Sequence, residues 1–429
     1  MRNHGRAAKL LRAAFDAAVA AADPRRCLPP FLPAPPSGKT VVVGAGKAAA
    51  SMAGAVEEHW PGELSGVVVT PYRHGAPTSR IKVVDASHPV PDSAGVAAAQ
   101  QIMKRVLNLS PNDLVLCLIS GGGSALLTLP APGIQLEEKQ TIARALLRCG
   151  ASIRDFNCVR KHLSAIKGGR LAEAAAPAKV VTLLISDVPG DDPSIVASGP
   201  TIPDPTTTAD ALAVLEKYGV VISPGVRAFL HTPNAESPKP GAACFEKNEI
   251  HLIATAQDGL DAAAGVARKH DVTPFILSNA LEGEARDVAL IHAAIAKQIS
   301  RHDQPVASPC LLLSGGETAV TVRGSGRGGR NTEFLLALAI ALDGDPEIHA
   351  IACDTDGIDG VGNNAGAIIG PDTLLRARAL GRNAKADLAE NNAFAFFEAL
   401  GDLVFTGPTL TNVNDFRAIL HVPIVIDLL

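Results

Sequence analysis

Several stretches of this chain carry residue types that can hold an anion or move a proton. The first is Val41-Val-Val-Gly-Ala-Gly-Lys-Ala-Ala49, an apolar run that reaches Gly44 and Gly46 and then a helical pattern. Glycine at such a turn lets the backbone approach a phosphate, and the helix N-terminus faces that phosphate. Taken alone, this is a dinucleotide pattern. A dinucleotide site, however, also wants an acidic residue about 20 positions on to hold the ribose hydroxyls, and the next apolar run ends Val69-Thr70-Pro71. Lys47 stands inside the turn, where its ammonium is a point charge suited to a transferring phosphoryl group. The plainer alternative is a Rossmann-like turn with a solvated lysine.

Ser120, Gly121, Gly122, Gly123 and Ser124 form a second such stretch, opening toward a helix. Three glycines allow successive amides to converge on a carboxylate or a phosphate, although a tight strand-to-helix turn needs the same residues. A third stretch, Ile185-Ser-Asp-Val-Pro-Gly-Asp-Asp-Pro193, fixes Asp187 and Asp191 at a strand end, where they can meet a cation or a substrate hydroxyl. Asp192 and Asp204 read more simply as Asx turns. Between these stretches, Arg154, Arg160, Lys161 and Lys167-Gly-Gly-Arg170 are mainly a solvated helix face, with the Lys-Gly-Gly-Arg end the least easily explained that way.

The fourth stretch runs from Ser314, Gly315, Gly316 and Glu317 through Arg323-Gly-Ser-Gly-Arg to Gly328, Gly329, Arg330 and Asn331, ahead of a leucine-rich helix. Guanidinium, amides and helix dipole would all favour an anion there. A flexible hairpin tip is the alternative. The fifth, Cys353-Asp-Thr-Asp-Gly-Ile-Asp-Gly360, places Asp354, Asp356 and Asp359 after a buried strand. It lacks the closing Glu of an EF-hand, so a strand-end Mg²⁺ or nucleotide site fits better than calcium. The loop Thr406-Gly-Pro-Thr-Leu-Thr-Asn-Val-Asn-Asp415 says little alone.

The elements that must position these residues alternate. Apolar runs at Thr40–Val43, Gly66–Thr70, Ile81–Asp85, Leu114–Ile119 and Lys179–Ile185 are separated by helical patterns, which predicts a parallel sheet covered on both faces. A second series begins at Glu249–Thr255 and continues through Val272–Ser278, Pro309–Leu313 and Glu347–Ala352. The breaker-rich segment Thr232–Gly241 between them predicts domains at 1–240 and 241–429. Residues 1–19 read as an amphipathic helix rather than a signal peptide, because Lys9, Arg12 and Asp16 interrupt an apolar face of Leu11, Ala14, Phe15 and Ala18.

Composition excludes more than it names. Across 429 residues, 39 Lys plus Arg against 43 Asp plus Glu leave a net charge of -4, so no basic field exists for nucleic acid or an anionic membrane. Aromatics are 3%, too few for base-stacking platforms. No uncharged apolar run approaches the ~18 residues of a spanning helix. Seven cysteines without a CxxC read as reduced, mostly buried thiols of a cytoplasmic protein.

In order, Gly44-Ala-Gly-Lys-Ala48, Ser87-His-Pro-Val-Pro-Asp92, Ser120-Gly-Gly-Gly-Ser-Ala125, Ile185-Ser-Asp-Val-Pro-Gly-Asp191, Ala197-Ser-Gly-Pro-Thr201, Ser314-Gly-Gly-Glu317, Gly328-Gly-Arg-Asn331, Asp354–Gly360 and Thr411-Asn-Val-Asn-Asp415 resemble the class II glycerate 2-kinases. The resemblance spans nearly the whole chain. It implies an α/β fold, with a Rossmann-like parallel-sheet N-terminal domain, a second α/β domain of MOFRL type and an active site in the cleft between them. It also implies transfer of phosphate from ATP, with Mg²⁺ or another divalent cation, to the 2-hydroxyl of D-glycerate, with assembly into a homo-oligomer left open. On that footing Lys47 and Arg330 stabilise the transferring phosphoryl group, and Asp187 or Asp191 acts on the hydroxyl proton or the metal. The Ser120–Ser124 loop suits the glycerate carboxylate and, with Gly44 and Gly46, binds substrate or phosphate. Ser314–Glu317, Gly328, Gly329 and Asn331 take nucleotide, and Asp354, Asp356 and Asp359 take metal. One departure is Leu410, where the family pattern has glycine. The competing expectations are an NAD(P)H-dependent hydroxypyruvate reductase and a non-enzymatic anion- or sugar-binding protein.

Overall fold

The computed structural model describes residues 2–423; the last six residues of the expected second domain lie outside them. β1 (Thr40–Ala45), β2 (Ser65–Pro71), β3 (Ile81–Ala86), β4 (Leu114–Ile119), β5 (Lys179–Ile185) and β6 (Glu249–Ala254) form one sheet in the order β3-β2-β1-β4-β5-β6. From β3 across to β5 every pairing is parallel. β1 and β4 are buried along their whole length, as strands covered on both faces must be. This is the strand order of a Rossmann sheet, and its direction reverses between β1 and β4. β6 lies at the edge of this sheet rather than opening the second strand series. Its alternating apolar pattern marks a strand without saying which sheet it joins.

The second sheet gathers β7 (Thr273–Glu284), β8 (Cys310–Ala319), β9 (Ile348–Asp354), β10 (Gly366–Ile369), β11 (Leu403–Val404) and β12 (Asp415–His421) in the order β11-β10-β9-β12-β8-β7. It is mixed. β7 and β8 are parallel, whereas β8–β12, β12–β9, β9–β10 and β10–β11 are antiparallel. Successive strand residues face opposite sides, and the two cores show it. Leu312, Ala350, Ala352 and Ile419 join the helices Ala285–His302 and Arg330–Leu342 on one face. Leu311, Leu313, Ile351 and Phe416 meet Leu11, Phe15 and the helix Ala256–Arg268 on the other.

That second face accounts for the N-terminal helix, Arg2–Ala21. Leu11 and Phe15 are fully buried, and Phe15 packs on Phe416 with ring centroids 5.8 Å apart. Burying each side chain contributes about 1.5–3 kcal/mol. The chain accordingly divides into two compact units that differ from a cut at residue 240. One comprises Pro24–Ser186 and Asp191–Ile253; the other comprises residues up to Asp23, Asp187–Gly190 and those from Ala254 on. The first helix belongs with the second sheet because its apolar stripe covers that sheet. Among the described residues no helix is long and apolar enough to cross a membrane.

Candidate active site

In the first unit, the turns after β1 and β4 are stitched together at the point where strand order reverses. The Lys47 amide donates to the Gly121 carbonyl at 2.8 Å, while the Gly46 amide holds the turn to β2 through the Val69 carbonyl at 3.0 Å. The Ala48 amide donates to Ser120 Oγ at 2.9 Å. Gly46 has φ 143°, and a Cβ there would collide with Ser120, so only glycine lets the two turns close. The helix Ala49–His59 starts directly after Lys47 with no side-chain cap from Ala48. A positive helix end and a lysine therefore stand where open α/β sheets bind ligands.

Other parts of the sequence pattern converge on the same place. A Cβ on Gly122 would lie 3.0 Å from the His88 ring and 3.5 Å from Lys47 Cγ, so the Ser87–Asp92 segment borders the turn. Ser124 Oγ is 2.8 Å from Ser198 Oγ, and Ser198 donates to Asn157 Oδ1 at 2.8 Å. Lys167 Nζ donates to the Ala197 carbonyl at 3.4 Å. Ala197, Ser198 and Gly199 all have left-handed backbone, φ 51°, 61° and 54°. Such strain in non-glycine residues costs about 1–3 kcal/mol each and persists where surrounding structure enforces it, commonly at functional sites. The Gly123 amide is taken by the Ser120 carbonyl at 3.2 Å, so the triple-glycine loop is partly closed on itself.

Asp187 lies with the second unit. Its carboxylate accepts from Asn412 Nδ2 at 3.1 Å, and its carbonyl accepts from Asn414 Nδ2. The loop Thr411–Asp415 thereby has a role that its sequence alone did not give. Asp191, four residues on, has left-handed backbone and groups with the first unit. Asp192 accepts from the Ser194 amide at 2.9 Å, the Asx turn its sequence suggests. Asp204 makes an Asx contact with the Thr206 amide, but it is also fully buried and pairs with Lys161 at 3.4 Å.

The second unit handles its charges differently. Arg330 Nε donates to Asp415 at 2.6 Å, Nη1 to Glu317 at 2.7 Å and Nη2 to Asp354 at 2.8 Å. Burial works against its charge, but the three carboxylates outweigh burial and hold the guanidinium above its ordinary range. Arg417, fully buried on β12, pairs with Asp415 and donates to Thr318 Oγ1 at 2.9 Å. Ser314 Oγ is 3.0 Å from His292 Nε2. Burial pushes that imidazole down to about 4 despite its contact with the Val288 carbonyl, so it is neutral at pH 7. Gly315 and Gly316 lie within β8, opposite Phe416 and Asp415 of β12.

The helix Arg330–Leu342 already has an anion at its N-terminus. Asp359 Oδ1 accepts from the Asn331 amide at 2.9 Å, and its Oδ2 accepts from the Thr332 amide at 2.9 Å and the Thr332 hydroxyl at 2.8 Å. Gly329 at the cap position has no side chain, and one there would strike Asp359. Asp359 is thus a remote cap rather than a metal ligand. Asp354 accepts from Arg330 and from the Asp356 amide at 3.0 Å, and Asp356 accepts from the Ile358 amide at 2.8 Å. Among the described residues no group of three His, Cys, Asp or Glu could hold a metal ion. The expected trio Asp354, Asp356 and Asp359 does not fit one, because its oxygens bond to the surrounding chain.

A unit with a Rossmann-order sheet and a cation at its switch point, joined in one chain to a unit with a mixed sheet and a dense charge network, defines a two-domain α/β enzyme. Residues 10–231 match a family described as a domain of unknown function, DUF4147, and residues 310–415 match the MOFRL family. The chain is 42% identical over 400 residues to the D-glycerate 2-kinase of Thermotoga maritima, covering 92% of this chain and 94% of that protein. A crystal structure of glycerate kinase from Thermotoga maritima superposes with a TM-score of 0.88 at 41% identity, covering 96% of this chain and 99% of that one. An Agrobacterium vitis protein provisionally named a hydroxypyruvate reductase is 53% identical over 417 residues, covering 96% of this chain and 94% of that protein. The chain belongs to the glycerate 2-kinase family that joins a DUF4147 domain to a MOFRL domain.

Proposed function

We propose that this protein transfers the γ-phosphoryl group of ATP to the 2-hydroxyl of D-glycerate, releasing 2-phosphoglycerate and ADP. The observation that carries the reading is the pair of stitched turns after β1 and β4, which brings Lys47 and an uncapped helix start to the switch point of the sheet. Phosphoryl transfer relies on positioned cations and amides more than on covalent chemistry, and this inventory suits it. Lys47 takes charge from the transferring group. Asp187, oriented by Asn412 and Asn414, is the carboxylate we assign to the substrate hydroxyl. Arg330 can add to the phosphoryl clamp by releasing Glu317, the most exposed of its three partners at 49%. A divalent cation would neutralise charge on the phosphates of ATP, and no side chain of this protein is assigned to hold it. A cytoplasmic setting suits the seven free cysteines.

The reductase reading draws on the Agrobacterium vitis name. Against it, β2 ends in Thr70 and Pro71 with no acid for a ribose, and Lys47 occupies the turn. Two assays separate the readings. D-glycerate with ATP and Mg²⁺ should form ADP, and phosphorus NMR should place the phosphate on carbon 2. Oxidation of NADH by hydroxypyruvate without ADP formation in the first assay would establish the reductase instead.

A further inference from the structure

Lys139 sits in the first turn of the helix Leu136–Arg148 beside Glu137, Glu138 and Gln140, in what reads as a solvated sequence. The side chain is nevertheless buried, at 9% exposure, and its Nζ has no hydrogen-bond partner. It lines a cavity of about 130 Å³ together with Arg160 and Lys167. Arg160 lies over the Phe156 ring at 4.0 Å, and Lys167 is fully buried. The remaining walls are mostly aliphatic, with Ser124, Thr128 and Gln140 as neutral polar members, Arg144 as a further cation and, among the described residues, no acidic side chain in the lining. Burial, with Arg160 and Arg170 nearby, pushes the Lys139 ammonium down to about 7. Burial and the charges of Lys139 and Arg160 push Lys167 well below its ordinary value.

Cations gathered in apolar walls repel one another and lose hydration, and burying an unpaired charge is costly. An arrangement of this kind is stable once an anion enters. We propose that this cavity receives the carboxylate of the acceptor acid, with Lys139, Arg160 and Lys167 as its counter-charges and Ser124 joining it to the turn beside Lys47. The assignment rests on the kinase reading for the identity of the acid. Its size agrees: a cavity of about 150 Å³ holds a molecule as large as benzene, which is the scale of a three-carbon acid. Nucleotide-sized ligands need roughly 300 Å³ or more. The site therefore selects hydroxy acids over uncharged polyols, because glycerol would leave the cations unpaired.

The decisive variant is Lys139→Met, which keeps length and removes the charge. For D-glycerate, kcat/KM should fall roughly 10- to 100-fold, the usual scale of one charged hydrogen bond, and KM should carry most of the loss. Without ligand the same variant should melt at a higher temperature than the parent, because an unpaired buried cation is gone; a purely structural lysine would give the opposite shift. Thermal shift with D-glycerate alone, inorganic phosphate alone and glycerol alone should show stabilisation by glycerate and none by glycerol. Stabilisation by phosphate but not glycerate would overturn the carboxylate assignment, as would a parent-like KM and glycerate shift in Lys139→Met. If Lys139→Met does not fold, Arg160→Met and the charge-keeping Lys139→Arg give the same readouts: loss of the glycerate shift in the first and its retention in the second support the site, and any other pair overturns it. Failure of the kinase reading appears separately, as parent protein that makes no ADP from ATP and D-glycerate.

Discussion

The two units treat positive charge in opposite ways. Around the first sheet, Lys139, Arg160 and Lys167 share one cavity whose lining has, among the described residues, no acid. Beside the second sheet, Arg330 faces three carboxylates and Arg417 shares Asp415 with it. The first arrangement is incomplete without an anion, whereas the second supplies its own. Glycine-rich, arginine-rich sequence is therefore ambiguous: Gly328-Gly-Arg-Asn331 looks as ready for a phosphate as Gly44–Ala48 does, but Asp359 already fills its helix end.

The largest effect that tests this contrast is expected at Arg330. Arg330→Ala leaves the buried Asp354 and Asp415 without their common partner, and breaking a buried ion pair from one side costs about 3–5 kcal/mol, with the half-exposed Glu317 adding little. Urea unfolding should show that loss along with reduced activity. A variant as stable as the parent would mean that the network is not self-balanced. Lys47→Ala should separate the two quantities. Removing one transition-state donor costs about 10²–10³ in kcat, while melting should stay near the parent value, since the turn is closed by backbone amides and Ser120. Near-parent kcat would remove Lys47 from the chemistry.

Lys139 offers a pH test of the incomplete side. The groups near it, Arg144, Arg160, Lys167 and Arg170, are all basic. With its ammonium lowered to about 7, the native state binds fewer protons than the unfolded state between pH 7 and the ordinary 10.5. Native stability contributed by this group therefore rises with pH across that window. The melting advantage of Lys139→Met should be full below pH 7 and should shrink as pH rises toward 10. A constant advantage would show that the lysine is already solvated.

Asp359→Ala tests the self-completed side at lower cost. It removes the acceptor of two helix amides and a hydroxyl, so about 1–3 kcal/mol of stability should be lost. Added Mg²⁺ should not restore it. Restoration by Mg²⁺ would return Asp359 to the metal-ligand role expected from its spacing.

What the sequence revealed follows from the range of its signals. Near-continuous Val and Leu runs and local turn chemistry located β1 to β5 and the Lys47 turn, because each depends on residues within a short window. β12 was missed because Asp415 and Arg417 interrupt its apolar run, and both charges become tolerable only where they pair with each other along the strand and Asp415 also meets Arg330 at a helix start. Lys139 left no signal, because a lysine beside two glutamates in the first turn of a helix looks solvated until the fold closes over it. Asp359 carried a signal that was misread: three aspartates in six residues suggest an ion, and only the distant helix start at Arg330 shows why one of them is there.

Leu410 is the finest of these cases and sets the smallest prediction. The resemblance leads one to expect glycine at this position, and Leu410 has φ 60°, the left-handed region that glycine enters without strain. Leucine there costs about 1–2 kcal/mol in backbone strain. Glycine would relieve that cost while adding roughly 0.5–1 kcal/mol of unfolded-state entropy. Leu410→Gly should therefore stabilise the protein by about 0–1.5 kcal/mol, read as a small rise in melting temperature. A fall would mean that contacts of the half-buried leucine side chain outweigh its strain, and that the departure from the family pattern is a compensated one.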